Sequence, residues 1–295
     1  MGETIVDVNG IQLCAEVRGP DDGVPLLLVM GLGAQKVSWD PRFIDAIVDR
    51  GYRVVWFDNR DVGRSTLFDD HPVDLGEVMT AVLSGETPDV PYLLADMAAD
   101  AAGLLDALGI GSAHVLGVSM GGMIVQQLAI DHPHKVRSVV SIMSTTGDAD
   151  VGQPSSEAQA ALLRQPPTSV DEAVQAALEA EQVWGSPAYL DPAATEARAR
   201  REWERKQYPA GVARQISAIF ASPSRTAGLG QVTMPFTVIH GLADTLVTPS
   251  GGARTAEAVP HARHIELEGM GHNLPEALWP TILDAVDETT AAVTA

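Results

Sequence analysis

Residues 113–123, AHVLGVSMGGM, constrain this chain more than any other stretch. Val115, Leu116 and Val118 make an apolar, β-branched-rich run, and IVQQLAI at 124–130 has the apolar content of a helix packed on a sheet. The order is strand, sharp turn, helix, with Ser119 at the apex of Gly117-Val118-Ser119-Met120-Gly121. A G-x-S-x-G pattern in that setting is a nucleophile elbow. The glycines leave no Cβ where strand and helix crowd a strained turn, which lifts the serine hydroxyl clear of the sheet. The helix N-terminus just behind it favours developing negative charge. The plainer alternative is a glycine-rich turn whose serine merely caps the helix.

A serine hydroxyl is a weak nucleophile near neutral pH, so the elbow has a purpose only if a base and an orienting acid exist elsewhere. In elbow proteins the chain order is serine, acid, histidine. Among eight histidines, His272 lies in the late glycine-rich loop EGMGHNLP that follows a strand, and it is the expected base. His132 and His134 follow the elbow helix, His114 and His264 belong to strands, His71 and His261 neighbour prolines, and His240 ends a strand. For the acid, Asp244 in the short turn HGLAD is preferred to Asp148, which lies in the looser TGDAD stretch. Attack on a carbonyl also needs backbone N–H donors for the oxyanion. Met120, next to the nucleophile, supplies one. Leu32, between Gly31 and Gly33 in the loop after the first buried strand, supplies the other.

Gly31-x-Gly33 after a buried strand, with Asp58 ending the next one, also resembles part of a dinucleotide fingerprint. Lys36 stands where that pattern needs its third glycine, a hairpin precedes the strand, and the elbow would then have no purpose. In the stretch DNRDVGRS (58–65), Arg60 and Arg64 are expected to pair with Asp58 and Asp61 beneath the oxyanion loop, a direct substrate role for either arginine being the alternative.

The rest of the chain supplies a sheet for these loops. Alternation at 4–8 and 11–17 around Asn9-Gly10 predicts a hairpin. Strands are expected at 25–30, 52–57, 136–143, 235–240 and 262–267, continuous apolar runs among them suiting strands covered on both faces. Helices are expected from a cap at Ser38 or Asp40 to about residue 49, and over 94–108, while 66–92 reads as irregular, with Pro72, Pro88 and Pro91. Eight strands, the later ones separated by helices, give an α/β class with a mostly parallel sheet flanked by helices. Between 144 and 233 strand-like runs vanish. Alanine-rich helical stretches at 156–163, 170–183, 193–207 and 212–221, punctuated by prolines, read as an all-helical cap inserted between two late strands. The expected division is 1–144 and 233–295 for the core and 145–232 for the cap. Trp184, Trp203, Ile219 and Phe220 are its candidates for facing a substrate.

Composition bounds the partners. The 295 residues, 45% hydrophobic, are enough to bury a sizeable core. With 39 acidic against 19 basic residues the formal charge is −20, a field that repels phosphate backbones and anionic lipid. Neither nucleic acid nor a membrane is an expected partner. Cys14 is the only cysteine, so no internal disulfide or cysteine metal cluster can form. The opening MGETIVDVNG has no basic-then-apolar leader pattern, and Val6 stands where a myristoylation signal wants Ser or Thr. No apolar run approaches the roughly 18 residues that cross a bilayer. A cytoplasmic protein, monomer or homodimer, is expected.

Taken together, LLLVMG, FDNRDVGRS, AHVLGVSMGG and EGMGHNLP resemble the α/β-hydrolase superfamily, in its capped lipase and esterase branch. The likeness covers about residues 1–145 and 232–290, and it is similar to methylesterases acting on anthracycline-type polyketides among other bacterial carboxylesterases. Met30 departs from the branch, standing where a histidine often precedes the oxyanion-loop glycine. The resemblance implies a cofactor-free hydrolase, without metal, that cleaves small-molecule esters with Ser119, Asp244 and His272 as its triad. The same triad elsewhere in the superfamily cleaves C–C bonds or makes peracids, and some members only bind ligands. Those activities are the alternatives.

Overall fold

A computed structural model describes residues 2–293. Among the described residues eight strands form one sheet in the order β1-β2-β4-β3-β5-β6-β7-β8. The hairpin β1 (Thr4–Val8) and β2 (Ile11–Arg18) is antiparallel, and β2 pairs antiparallel with β4 (Tyr52–Phe57). β3 (Val24–Val29), β5 (Ala113–Val118), β6 (Val136–Ile142), β7 (Phe236–Gly241) and β8 (Arg263–Leu267) complete a parallel array with β4. This is the expected α/β class with its mostly parallel, helix-flanked sheet.

Strand period 2 divides the core into two layers. Leu26, Leu28, Val54, Trp56, Leu116 and Val118 face α1 (Pro41–Val48) and the C-terminal helix Trp279–Ala291. Leu27, Val29, Val55, Phe57 and Val115 face α3 (Leu94–Ala107) and α4 (Met120–Asp131). Both layers are fully covered, which is why the central strands are apolar throughout. The chain runs from β3 to β4 on one side, then returns to β5 on the other side of β3. The loops after β3 and β5 therefore part company at the carboxyl edge, where ligands of such sheets bind.

Five helices separate β6 from β7: α5 (Ser156–Leu162), α6 (Val170–Trp184), α7 (Pro192–Arg205), α8 (Pro209–Ala221) and the short α9 (Thr226–Leu229). Ser155, Ser169 and Asp191 cap the first three by accepting from backbone N–H groups of the opening turn. One expectation is corrected. Residues 75–83, read as irregular, form α2 (Leu75–Leu83), capped by Asp74. Its inner face meets α8 of the insertion rather than the sheet. No described helix is long and apolar enough to cross a membrane.

Candidate active site

The elbow forms as β5, Ser119, α4. Ser119 has φ 55° and ψ −122°, a conformation that costs a non-glycine residue on the order of 1–3 kcal/mol. Its neighbours make room: a Cβ on Gly117 would strike the Gly121 carbonyl, and one on Gly121 would strike the Val29 carbonyl of β3. The serine side chain makes no capping bond to the helix. Instead its Oγ lies 2.9 Å from Nε2 of His272, so the capping alternative fails. The backbone is pinned on both sides, with Ser119 N–H donating to Ile142 O at 3.0 Å and Ser144 Oγ donating to Ser119 O at 2.8 Å.

His272 and Asp244 sit on loops that are laced together. Leu242 N–H donates to Leu267 O, and Ala243 N–H to Met270 O, which ties the turn after β7 to the loop after β8. His272 Nδ1–H donates to Asp244 Oδ2 at 2.7 Å. The other carboxylate oxygen accepts the N–H groups of Leu246 and Val247, each at 2.9 Å. His240, wholly buried, donates from Nε2 to Val247 O at 2.8 Å and places that nitrogen 3.5 Å from Asp244 Oδ2. Burial alone would raise the Asp244 carboxyl. The two histidines outweigh it and draw the carboxyl down to about 2. Asp244 is thus an anion at neutral pH, facing Nδ1 of His272.

The rival acid is placed otherwise. Asp148 accepts from Thr146 at 3.1 Å, Thr226 at 2.6 Å, Arg254 at 2.8 Å and Ser224. Those hydroxyls and the guanidinium outweigh its desolvation and hold the carboxyl far below its ordinary range. Thr146 lies where the chain enters the helical insertion and Ser224 and Thr226 where it leaves, so Asp148 clamps the two connections.

Leu32 and Met120 both line the cavity above Ser119, together with Gly31. Met120 opens α4, so its N–H has no intrahelical carbonyl to bind. Gly31 is so near the elbow that a Cβ there would stand 3.1 Å from Ser119 Cβ. The loop is held from the insertion: Gly33 N–H donates to Gln215 Oε1 at 2.8 Å, and Gln215 Nε2 donates to Arg60 O at 2.7 Å. Gln35 likewise donates to the carbonyls of Glu202 and Lys206.

The pairing expected within 58–65 is corrected. Arg60 forms a fork with Asp100 of α3 at 2.7 and 2.8 Å, and Arg64 reaches Glu3. Asp58 instead receives Arg205 at 2.7 Å, and Asp61 receives Arg214 bidentately at 2.8 and 2.9 Å. The carboxylates face the insertion, whose helices α7 and α8 lie over this loop, while the arginine side chains of the same segment point to Asp100 of α3 and to Glu3, just ahead of β1. Neither Arg60 nor Arg64 lines the cavity. Asp58 also accepts the Lys36 N–H at 2.6 Å, which occupies the group a ribose would need.

The cavity between sheet edge and insertion measures about 1350 Å³, larger than the several hundred usual for drug-sized ligands. Met123, Met143, Trp184, Ile216, Ile219 and Phe220 give it a mainly apolar wall, with Ser119 and His272 inside. Trp203 does not line it. Among the described residues no three His, Cys, Asp or Glu side chains cluster as metal ligands would.

Residues 24–276 match the model of the alpha/beta hydrolase fold family. Over the full length of both chains, 28% of residues are identical to the rhodomycin D methylesterase DnrP of Streptomyces peucetius. The esterase RhEst1 from Rhodococcus sp. ECU1013 superimposes with TM-score 0.76 at 19% identity, covering 99% of this chain and 100% of that one. The enol-lactonase of Burkholderia xenovorans LB400 gives TM-score 0.69 at 24% identity, covering 98% of each.

Proposed function

The chain belongs to the α/β-hydrolase fold family, and we propose that within it the protein is a serine carboxylesterase acting through an acyl-enzyme. One observation carries the reading: an unbroken hydrogen-bonded line from Ser119 Oγ to His272 Nε2, and from His272 Nδ1 to Asp244, at 2.9 and 2.7 Å.

In this mechanism His272 takes the Ser119 proton as Oγ attacks the ester carbonyl, then delivers it to the departing alcohol. Asp244 keeps Nδ1 protonated and balances the transient imidazolium. The N–H groups of Leu32 and Met120 receive the oxyanion, an interaction whose loss costs about 10²–10³ in rate where one donor is removed. Water, activated by the same histidine, releases the acid. Gly117 and Gly121 serve by letting β3, β5 and α4 approach closely enough to hold Ser119 in its strained turn.

Residues 145–232 act as the cap over a core made of 1–144 and 233–295. The volume and apolar wall of the cavity favour an ester of a bulky, largely apolar acid. The methyl ester of a polycyclic carboxylic acid is the first candidate, supported by the full-length likeness to a methylesterase. Cavity-facing residues Ile219 and Phe220 then set preference among acyl groups, each lost methylene contact shifting discrimination by about 1–3 kcal/mol. The reading is tested by nitrophenol release from a short aryl ester, followed by a screen across acyl length and methyl esters of polycyclic acids. Turnover abolished by Ser119→Ala supports it. Tight ligand binding without turnover of any ester would mark a binding protein instead.

A further inference from the structure

The loop that carries His272 is bonded residue by residue to one stretch of the insertion. Gly271 N–H donates to Ser186 Oγ at 2.8 Å, and His272 N–H to Trp184 O at 2.5 Å. Ser186 Oγ donates onward to Asn273 Oδ1, and Asn273 Nδ2 donates to Glu181 Oε1 at 2.5 Å. On the neighbouring acid loop, Thr245 Oγ1 donates to Val183 O at 2.8 Å. The approach is close: a Cβ on Gly271 would strike the carbonyls of Trp184 and Gly185. Ser186 is wholly buried and Glu181 is 7% exposed.

Every hydrogen bond in this set has its donor and acceptor capacity used consistently. The Ser186 hydroxyl accepts once and donates once, and the Asn273 amide uses its oxygen toward Ser186 and its nitrogen toward Glu181. Burial pushes the Glu181 carboxyl up, against the opposing charge of Arg198 and a hydrogen bond from Thr195, so the Asn273 amide is one of several groups that keep this buried carboxylate satisfied. Asn273, the residue after His272, also lines the cavity, and its side-chain amide bonds to the insertion and not to Ser119, His272 or Asp244.

We propose that Asn273, held between Ser186 and Glu181, is a positioning residue through which the docked cap fixes the backbone of His272, so that the base is competent only while the cap is closed. This rests on the proposed serine mechanism. Its consequence is that opening the cap to admit substrate releases the Gly271, His272 and Asn273 bonds together, and closure restores them. Chemistry is thereby confined to the closed state, when the cavity is shut off from bulk solvent. Substitutions along this line should act on the chemical step even for a substrate too small to touch the cap wall.

The experiment compares wild type with Ser119→Ala, Asn273→Ala, Glu181→Ala and Glu181→Gln, each checked for folding by thermal melting. The readouts are kcat and KM on 4-nitrophenyl acetate, and the labelling rate by a small fluorophosphonate. Misplacing a catalytic group by about 1 Å costs up to about 10²-fold, so Asn273→Ala and Glu181→Ala should lower kcat and labelling by about tenfold or more with KM changed less than about threefold. Glu181→Gln, which keeps the oxygen that accepts from Asn273, should recover most of that loss. Wild-type labelling and kcat in folded Asn273→Ala, or an effect on KM alone, would overturn the proposal. If Asn273→Ala does not fold, the Glu181 pair decides: equal losses in Gln and Ala, or no loss in either, exclude the relay. Labelling and turnover that survive in Ser119→Ala refute the serine mechanism itself, a separate outcome.

Discussion

Asp244→Asn tests the proposed role of Asp244 as the acid that orients His272. In the native site Asp244 Oδ1 accepts two backbone N–H groups, from Leu246 and Val247, while Oδ2 accepts Nδ1–H of His272. An asparagine must present its carbonyl oxygen to the two amides, because the opposite orientation turns a buried NH₂ against two donors and forfeits both bonds. The amide nitrogen then faces His272 Nδ1. Two donors cannot share that contact, so the ring adopts the tautomer with its proton on Nε2. That places a proton where Ser119 Oγ needs a lone pair, and no negative charge remains to balance the imidazolium. A fixed wrong tautomer lowers kcat by about 10⁴, or about 5 kcal/mol of barrier at 1.36 kcal/mol per tenfold. The assay is steady-state hydrolysis of a short nitrophenyl ester at pH 7–8, with thermal melting to verify the fold. Activity within tenfold of wild type in folded Asp244→Asn refutes the reasoning, and a dead Asp148→Asn beside an active Asp244→Asn would move the acid to the other loop.

Three more outcomes follow from buried charges. Asp244 has its folded pKa depressed to about 2, so its stabilisation is present above the unfolded value near 4 and is lost as pH falls through about 2. The linkage contributes on the order of 2 kcal/mol, and the urea-stability gap between wild type and Asp244→Asn should narrow between pH 6 and pH 3; a constant gap contradicts it. Asp61→Asn leaves Arg214 buried without its bidentate partner and should cost about 3–5 kcal/mol in urea unfolding, with a loss below about 1 kcal/mol contradicting a buried pair. Burial, with Asp58 and Glu3 nearby, pushes the Cys14 thiol up to about 11, so a disulfide reagent at pH 8 should modify it only after unfolding. Rapid stoichiometric modification of the native protein would refute that.

The parts of the fold legible in the sequence are those written in local patterns. Asn9-Gly10 sets a hairpin, period-free apolar runs mark the doubly covered strands, and the glycines around Ser119 mark a turn that only close packing explains. The candidate site is legible because order along the chain, serine then acid then histidine, is also a one-dimensional property, and each of the three side chains lies within hydrogen-bonding distance of the next. What local patterns do not carry is three-dimensional. Asp58 and Asp61 stand beside two arginines in sequence, yet their partners Arg205 and Arg214 lie 147 and 153 residues away. Local spacing favours the near arginines, and only the placement of α7 and α8 over the loop decides against them. Helix α2 had a usable signal in Asp74 with Glu77 three residues on, an N-cap pattern. Flanking prolines concealed it, and its apolar face has a partner only once α8 is in place. Gln215, Ser186 and Glu181 carried no motif, since each acts by supporting a loop from another part of the chain.

Covalent labelling with a small fluorophosphonate, followed by intact-mass and peptide mass spectrometry, tests the central claim most directly. The account predicts one phosphonyl group per chain, on the peptide containing Ser119, with ester hydrolysis lost in proportion to labelling and no adduct in Ser119→Ala. An adduct on a different residue, or ester turnover that persists when Ser119 is fully modified, would contradict it.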